Sequence, residues 1–217
     1  MHTTIKFVVA AACALALALG GCQTMGTPNA ERTVDVSKKA GGLAVVSVTV
    51  SGYTPGTHWY QIVDLRNSQQ PPVSIATNAE SFGLDWTASQ GSEKTIVGRL
   101  AVVELAPGDY EIRRWVMRAG NGAMYASRRP FGYRFTIAAG EVVYLGNVHT
   151  DIQQSASASA LPYASSVSDK QARDLPLLQQ KYPAIRAGTI KIAVSPEGES
   201  RDSGARSMDG LRDLLPQ

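Results

Sequence analysis

The chain has 217 residues, with 21 Lys and Arg against 18 Asp and Glu, a formal net charge of +3 at pH 7. That balance lacks the strongly basic footprint of a nucleic-acid-binding domain, so no nucleic-acid partner is expected. Two cysteines in the whole sequence exclude a disulfide framework, and the length suffices for one domain with a real core plus appendages.

The chain begins with Lys6, an uncharged run from Phe7 to Leu19, and the stretch Leu19-Gly20-Gly21-Cys22 ahead of polar Gln23-Thr24. This is the layout of a bacterial secretory signal. The apolar run, about a dozen residues, falls short of the roughly 20 that span a hydrocarbon core, which argues against an uncleaved anchor. Leu three places before Cys, with two glycines between, resembles a lipobox. The resemblance implies cleavage between Gly21 and Cys22, diacylglycerol on the Cys22 thiol and an acyl chain on the new amine. Cys13 would leave with the signal, so the mature chain's single cysteine is consumed by lipid. Each buried methylene contributes about 0.8 kcal/mol, and two or three chains together give stable anchoring, which makes a membrane the first expected partner. Removal of residues 1–21 takes away one Lys and no acid, leaving 20 basic and 18 acidic residues. In the lipoprotein sorting rule of Gram-negative bacteria an Asp after the Cys favours the inner membrane. Gln23 stands there instead, so the resemblance implies an outer-membrane protein facing the periplasm.

Residues 22–41 have no apolar periodicity and read as a tether. As a flexible coil it would span about 25 Å. Residues 42–152 carry the strand signals. Leu43 to Val50 is rich in β-branched residues and stops at Ser51-Gly52; His58 to Leu65 is a second strand after the Tyr53-Thr54-Pro55-Gly56 turn. A short strand is expected around Phe82 to Trp86, then Arg99 to Leu105, closed by Ala106-Pro107-Gly108-Asp109. Asp109 to Ala119 and Ala123 to Arg129 flank Asn121-Gly122, whose residues accept the positive φ of a two-residue hairpin turn. Tyr133, Phe135 and Ile137 alternate with Arg134 and Thr136, and Glu141 to Val148 is a further strand. Seven or so short strands without helical periodicity predict a mainly β chain, an antiparallel β-sandwich of immunoglobulin-like or transthyretin-like type.

Residues 153–167 are low in complexity and read as a linker or loop. Ser168-Asp169-Lys170-Gln171 has the form of a capping box opening a short helix to about Arg173. Asp174 is expected to cap a second turn from Leu175 to Lys181, with Pro176 in its first turn. These make a small C-terminal helical appendage. Ile190, Ile192 and Val194 alternate with Lys191 and Ala193, so within 168–195 a last strand is expected to rejoin the sandwich. Residues 196–217 read as a disordered tail.

The run Val102 to Ile112, with Leu105, Pro107, Gly108, Tyr110 and Ile112, resembles the L-x-P-G-x-Y-x-I strand, turn and strand of transthyretin-like and carboxypeptidase-regulatory-like sandwich modules. Phe135 to Gly146 is similar to a hairpin of uncharacterised bacterial lipoproteins that carry such a module, and Asp174 to Pro183 to a short helical stretch that follows it. The resemblance covers about 50 residues closely and implies fold; that family has no agreed activity or catalytic residues to transfer.

Signals for chemistry are sparse. His58 and His149 are far apart and without neighbouring acids, so each is expected at a surface or strand end, and no metal or cofactor is expected. No nucleophile elbow, phosphate loop, dinucleotide fingerprint or zinc-protease motif occurs, and no free Cys is left to pair with a His. Asp64, Asp85, Glu104, Asp109 and Glu111 could act as an acid and base pair only if the fold brought two together. The remaining signal is a set of arginines, Arg113, Arg114, Arg118, Arg128, Arg129 and Arg134. In the two-residue-loop register Trp115 falls opposite Arg128, Arg118 opposite Tyr125 and Arg114 opposite Arg129. This face, Arg114, Arg118, Arg129, Trp115 and Arg128, is the candidate surface for an envelope protein, cell-wall polymer or anionic lipid. The plainer account is that the arginines solubilise an outer face and cover aromatic carbon with their stems. The functional expectation is a non-enzymatic, lipid-anchored interaction or structural module. The rivals are a hydrolase or carbohydrate-processing enzyme built from loops in residues 66–98, and a solute-binding module lined by Trp59, Trp86 and Trp115.

Overall fold

A computed structural model of the chain describes residues 41–52, 56–77, 86–90, 94–119, 123–127, 129–152, 163–194, 199–201 and 205–207. The expected signal segment, residues 22–40 of the expected tether with Cys22, Phe82 to Asp85 of the expected short strand, the Asn121-Gly122 turn and Arg128 lie outside the described residues.

In chain order the elements are β1 (Gly42–Gly52), β2 (Gly56–Asp64), β3 (Val73–Ala76), β4 (Trp86–Gln90), β5 (Lys94–Leu105), β6 (Gly108–Ala119), β7 (Met124–Ser127), β8 (Tyr133–Ile137), β9 (Val142–Ile152) and β10 (Tyr163–Ser168). Then come the helix α1 (Gln171–Lys181), a 3-10 turn at Ala187–Thr189, β11 (Ile190–Ile192), β12 (Glu199–Arg201) and β13 (Ala205–Ser207). The strands form two sheets. Sheet A runs β12-β10-β9-β1-β5-β4, with β11 also on β9; sheet B runs β13-β7-β6-β2-β3, with β8 also on β6.

The β-branched run in β1 explains its place at the centre. Val46, Val48 and Val50 join one buried cluster with Tyr60 and Ile62 of β2 and with Ile112, Trp115 and Met117 of β6. Two side-chain links cross between the layers: the Tyr60 and Thr150 hydroxyls are hydrogen-bonded, and Arg99 Nη1 donates to the Ala76 carbonyl at 3.2 Å. The molecule is thus a mainly β, two-layer sandwich. It departs from a purely antiparallel one, because β9 pairs in parallel with both β1 and β11. Strands β2 to β8, drawn from both sheets, intervene between β1 and β9 and provide the long crossover that parallel pairing requires.

Tyr110 carries the turn chemistry at Pro107-Gly108. Its hydroxyl donates to the Ala106 carbonyl at 2.7 Å, and its ring stacks on Phe135 with centroids 5.7 Å apart. As the alternation predicts, Tyr133, Phe135 and Ile137 of β8 are buried while Arg134 and Thr136 are exposed.

Several expectations are corrected. The register of β6 on β7 puts Val116 opposite Ala126, Met117 opposite Tyr125 and Arg118 opposite Met124, one place from that of a two-residue loop. On its other edge β6 carries a bulge, since Gln61 faces Arg114 but Ile62 faces Ile112, leaving Arg113 as the extra residue. The bulge changes the inward phase, so Tyr110 and Ile112 before it and Trp115 and Met117 after it are all buried. Ser168 ends β10 and caps no helix. Instead, the Asp169 carboxylate accepts from the Gln171 backbone N–H at 2.8 Å. The helix is continuous through Asp174 and Pro176.

The linker and the tail also contribute strands. Tyr163–Ser168 pairs with β9, Glu199–Arg201 with β10 and Ala205–Ser207 with β7. Strand pairing uses backbone N–H and C=O groups, so a polar segment without apolar periodicity can join an edge. The expected return of the chain at Ile190 does occur, along Val142 to Tyr144 of β9. β10 occupies the same edge of β9 from Asn147 onward. Gly146 stands between them at φ +89°, where a Cβ would come within 2.8 Å of Val194 Cγ2 and 2.9 Å of the Ser168 carbonyl.

Candidate functional site

The bulge at Arg113 decides what the outer face of sheet B displays. Trp115 is 2 % exposed and points into the core, so it is no part of an arginine face. The expected pairings of Trp115 with Arg128 and of Arg114 with Arg129 are therefore set aside: the register of β6 on β7 is shifted by one, and on β2 Trp115 meets Tyr60, itself buried, and Arg114 meets Gln61. Arg114 and Arg118 alternate with Trp115 and Met117 and are exposed. The aromatic residue that shares their face is Trp59, half-buried on β2 and opposite Val116, with Gln61 facing Arg114 and Thr57 facing Arg118. In the sequence Trp59 stands out only as a candidate pocket lining. The usable signal was its place beside Tyr60 in a strand where successive side chains point to opposite faces.

Around this centre lie more cations. Arg134 on β8 is opposite Glu111, whose buried carboxylate accepts from Arg113 Nε at 3.0 Å and Arg134 Nε at 3.2 Å. Arg129 is exposed after β7. Among the described residues the guanidinium groups of Arg114, Arg118 and Arg129 have no ion pair or hydrogen bond. A charged group that nothing within the fold neutralises is available to a partner.

The outer face of sheet A is built differently. Ser47, Thr49 and Ser51 of β1 lie opposite Asn147, His149 and Asp151 of β9. The α1 helix lays Asp174, fully buried, against this ladder: its carboxylate accepts from the hydroxyls of Ser47 and Tyr144 at 2.6 Å each and from Arg173 Nε at 2.7 Å. Arg173 Nη2 also donates to Ser47 Oγ at 3.0 Å and Asn147 Oδ1 at 2.9 Å. Burial, reinforced by the Asp174 carboxylate, raises the Tyr144 hydroxyl far above its ordinary range and keeps it a donor. The network fixes α1 on the sheet.

Further along, His149 Nδ1 lies 2.8 Å from Thr49 Oγ1 and Nε2 lies 3.1 Å from Ser51 Oγ, while Ser51 donates to Asp151 at 2.7 Å. Ser, His and Asp meet here, but the inner imidazole nitrogen faces a hydroxyl where a hydrolytic triad places a carboxylate.

His58 departs from the expected surface position. It is 3 % exposed on the inner side of β2, Nε2 has no hydrogen-bond partner, and burial lowers its pKa to about 4. His58 faces the inside of sheet B and His149 the outside of sheet A, so they share no site. Trp59 and Trp115 occupy opposite faces of sheet B and line no common pocket.

Of the candidate carboxylates, Asp85 lies outside the described residues and Glu104 is exposed on β5, while the other three are tied to arginine or backbone groups. Asp64 accepts from the backbone of Arg66 and Asn67, Asp109 lies 3.7 Å from Arg66 and accepts from Thr136, and Glu111 is held as above. A shallow cleft of about 430 Å³ lies over the Tyr110 and Phe135 stack between Arg66 and Arg134, at the end of sheet B. Among the described residues no three His, Cys, Asp or Glu side chains could hold a metal ion, and no helix is long and apolar enough to cross a membrane.

In comparisons with known proteins, no family model matches the chain, and neither a curated protein nor a solved structure is found similar to it. The fold and its exposed residues define the class, a β-sandwich with an arginine-bearing sheet face.

Proposed function

We propose that this chain is a lipid-anchored protein of the cell envelope whose sandwich is a non-enzymatic interaction module. Cys22 is the lipid attachment point, Gly21 and Cys22 flank the cleavage site, and the outer membrane facing the periplasm is its place. The likeness of residues 102–112 and 135–146 to sandwich modules of uncharacterised lipoproteins supports this reading at the level of the module.

The observation that carries the interaction role is the exposed row of Arg114 and Arg118 with Trp59 beside it, where charges stand without internal partners. Arg129 is a further exposed arginine, in the segment after β7. Trp115 supports the face from behind as core.

The test is the mass of the mature N-terminus after membrane extraction, beside a Cys22→Ala variant. Acyl mass on Cys22, with the variant released or left unprocessed, is the expected result. An unmodified N-terminus would remove the anchored reading and leave a soluble exported binding protein as the account to pursue.

A further inference from the structure

Among the described residues, the outer face of sheet B carries arginine charges that the fold does not answer. We infer that this face docks flat on an anionic phospholipid surface, with the arginines on lipid phosphates and Trp59 at headgroup level. The inference rests on the reading of the chain as an envelope lipoprotein and names the partner of its working face.

Charge is the first argument. Glu111 is buried between Arg113 and Arg134, and Asp109 faces Arg66 and Thr136 at the end of the sheet. Arg114, Arg118 and Arg129 are left without a carboxylate among the described residues.

Shape is the second. Arg114 and Arg118 are four residues apart on one strand, about 13 Å at the usual rise, and both are exposed. Peptide recognition uses a groove or a free strand edge, and the described cleft lies away from this row, at the Arg66 end. A layer of lipid phosphates can meet guanidinium groups set in a row along an exposed strand.

The aromatic residue is the third. Trp59 sits half-buried among the arginines, and an indole with an apolar body and one N–H donor is suited to the boundary between headgroup and acyl chain.

The test uses residues 22–217 with Cys22→Ser, so that no acyl chain contributes, and co-sedimentation with vesicles of phosphatidylcholine with and without phosphatidylglycerol. Binding is expected only where phosphatidylglycerol is present, and it weakens as salt is raised. In the Arg114→Gln, Arg118→Gln, Arg129→Gln variant it should fall about 100-fold, from about 1 kcal/mol per cation near an anionic surface. An Arg66→Gln variant serves as the control and should bind as the parent does. Absence of phosphatidylglycerol-dependent binding, or equal binding by the triple variant, would overturn the inference. So would competition by soluble polyglutamate that matches the lipid, which would reassign the face to an acidic protein. Because the acyl site is removed, none of these outcomes bears on anchoring, which stands or falls with the mass of Cys22.

Discussion

On the outer face of sheet A, Ser47, Asn147, Arg173 and Asp174 direct their hydrogen bonds at one another beneath α1. On the outer face of sheet B, Arg114 and Arg118 direct theirs at nothing among the described residues. Both faces are polar and both belong to the same sandwich. The difference teaches how to sort polar residues: a group whose partners lie within the fold contributes to stability, whereas a group without them matters through what it meets from outside. Substitutions on sheet A should therefore show in unfolding, and those on sheet B in binding.

The largest effect expected is on the inner side of sheet B, where the comparison can be made within one residue type. Trp115→Ala should cost about 4 kcal/mol in denaturant unfolding, as for other large core truncations. Trp59→Ala, on the opposite face, should cost under about 1 kcal/mol and act on binding instead. Equal losses would erase the distinction between the faces.

Next is Asp174→Ala, which removes the acceptor shared by Ser47, Tyr144 and Arg173. The loss should be about 3 kcal/mol, since breaking a buried ion pair leaves its other groups unsatisfied, tempered here by the partial exposure of Arg173. Chemical denaturation reads it directly, and a loss as small as that of a surface change would mean that α1 is held by Leu178 and its apolar neighbours alone.

His58 gives a pH signature of comparable size. Its folded pKa is lowered to about 4 from 6.5 by burial, so between those values the unfolded chain binds a proton that the folded chain does not. Stability from this group is complete above pH 6.5, falls as pH drops to about 4, and is level below that. The total is up to about 3 kcal/mol. The difference between the parent and His58→Leu in unfolding free energy, followed from pH 7 to 4, isolates the term. A pH-independent difference would sink it.

Smallest are the arginines. Arg114→Gln and Arg118→Gln should each change stability by less than about 0.5 kcal/mol, as surface substitutions do. A larger loss in thermal unfolding would show that these side chains are structural, and the contrast between the two faces would fail.

Much of the fold was legible in particular residues. The β-branched run in β1, the alternation of Tyr133, Phe135 and Ile137, and the Pro107-Gly108 turn with Tyr110 each encode their own local structure. So does the alternation of Ile190 and Ile192, which marked the returning strand. The candidate site was half legible. Arg114, Arg118 and Arg129 are exposed as their charge suggests, but Trp115 was assigned to their face because a two-residue loop was counted where the register takes in one residue more. Register decides facing, and a slip of one residue reverses it.

The strand-forming character of residues 43–50 and 133–137, the turns, the single helix and the surplus of arginine on β6 and β8 were determined by the sequence itself, because each depends on neighbours a few places apart. Three features were decided only in the tertiary structure. The bulge at Arg113 arises where β6 pairs with β2 side by side in one sheet, the parallel pairing of β1 with β9 joins residues about 100 positions apart, and the burial of Asp174 requires two partners from distant strands, Ser47 and Tyr144, together with its neighbour Arg173. Local patterns specify which way a segment bends and which residues avoid water; only contacts closed over long loops specify which polar group is answered from within and which is left facing out.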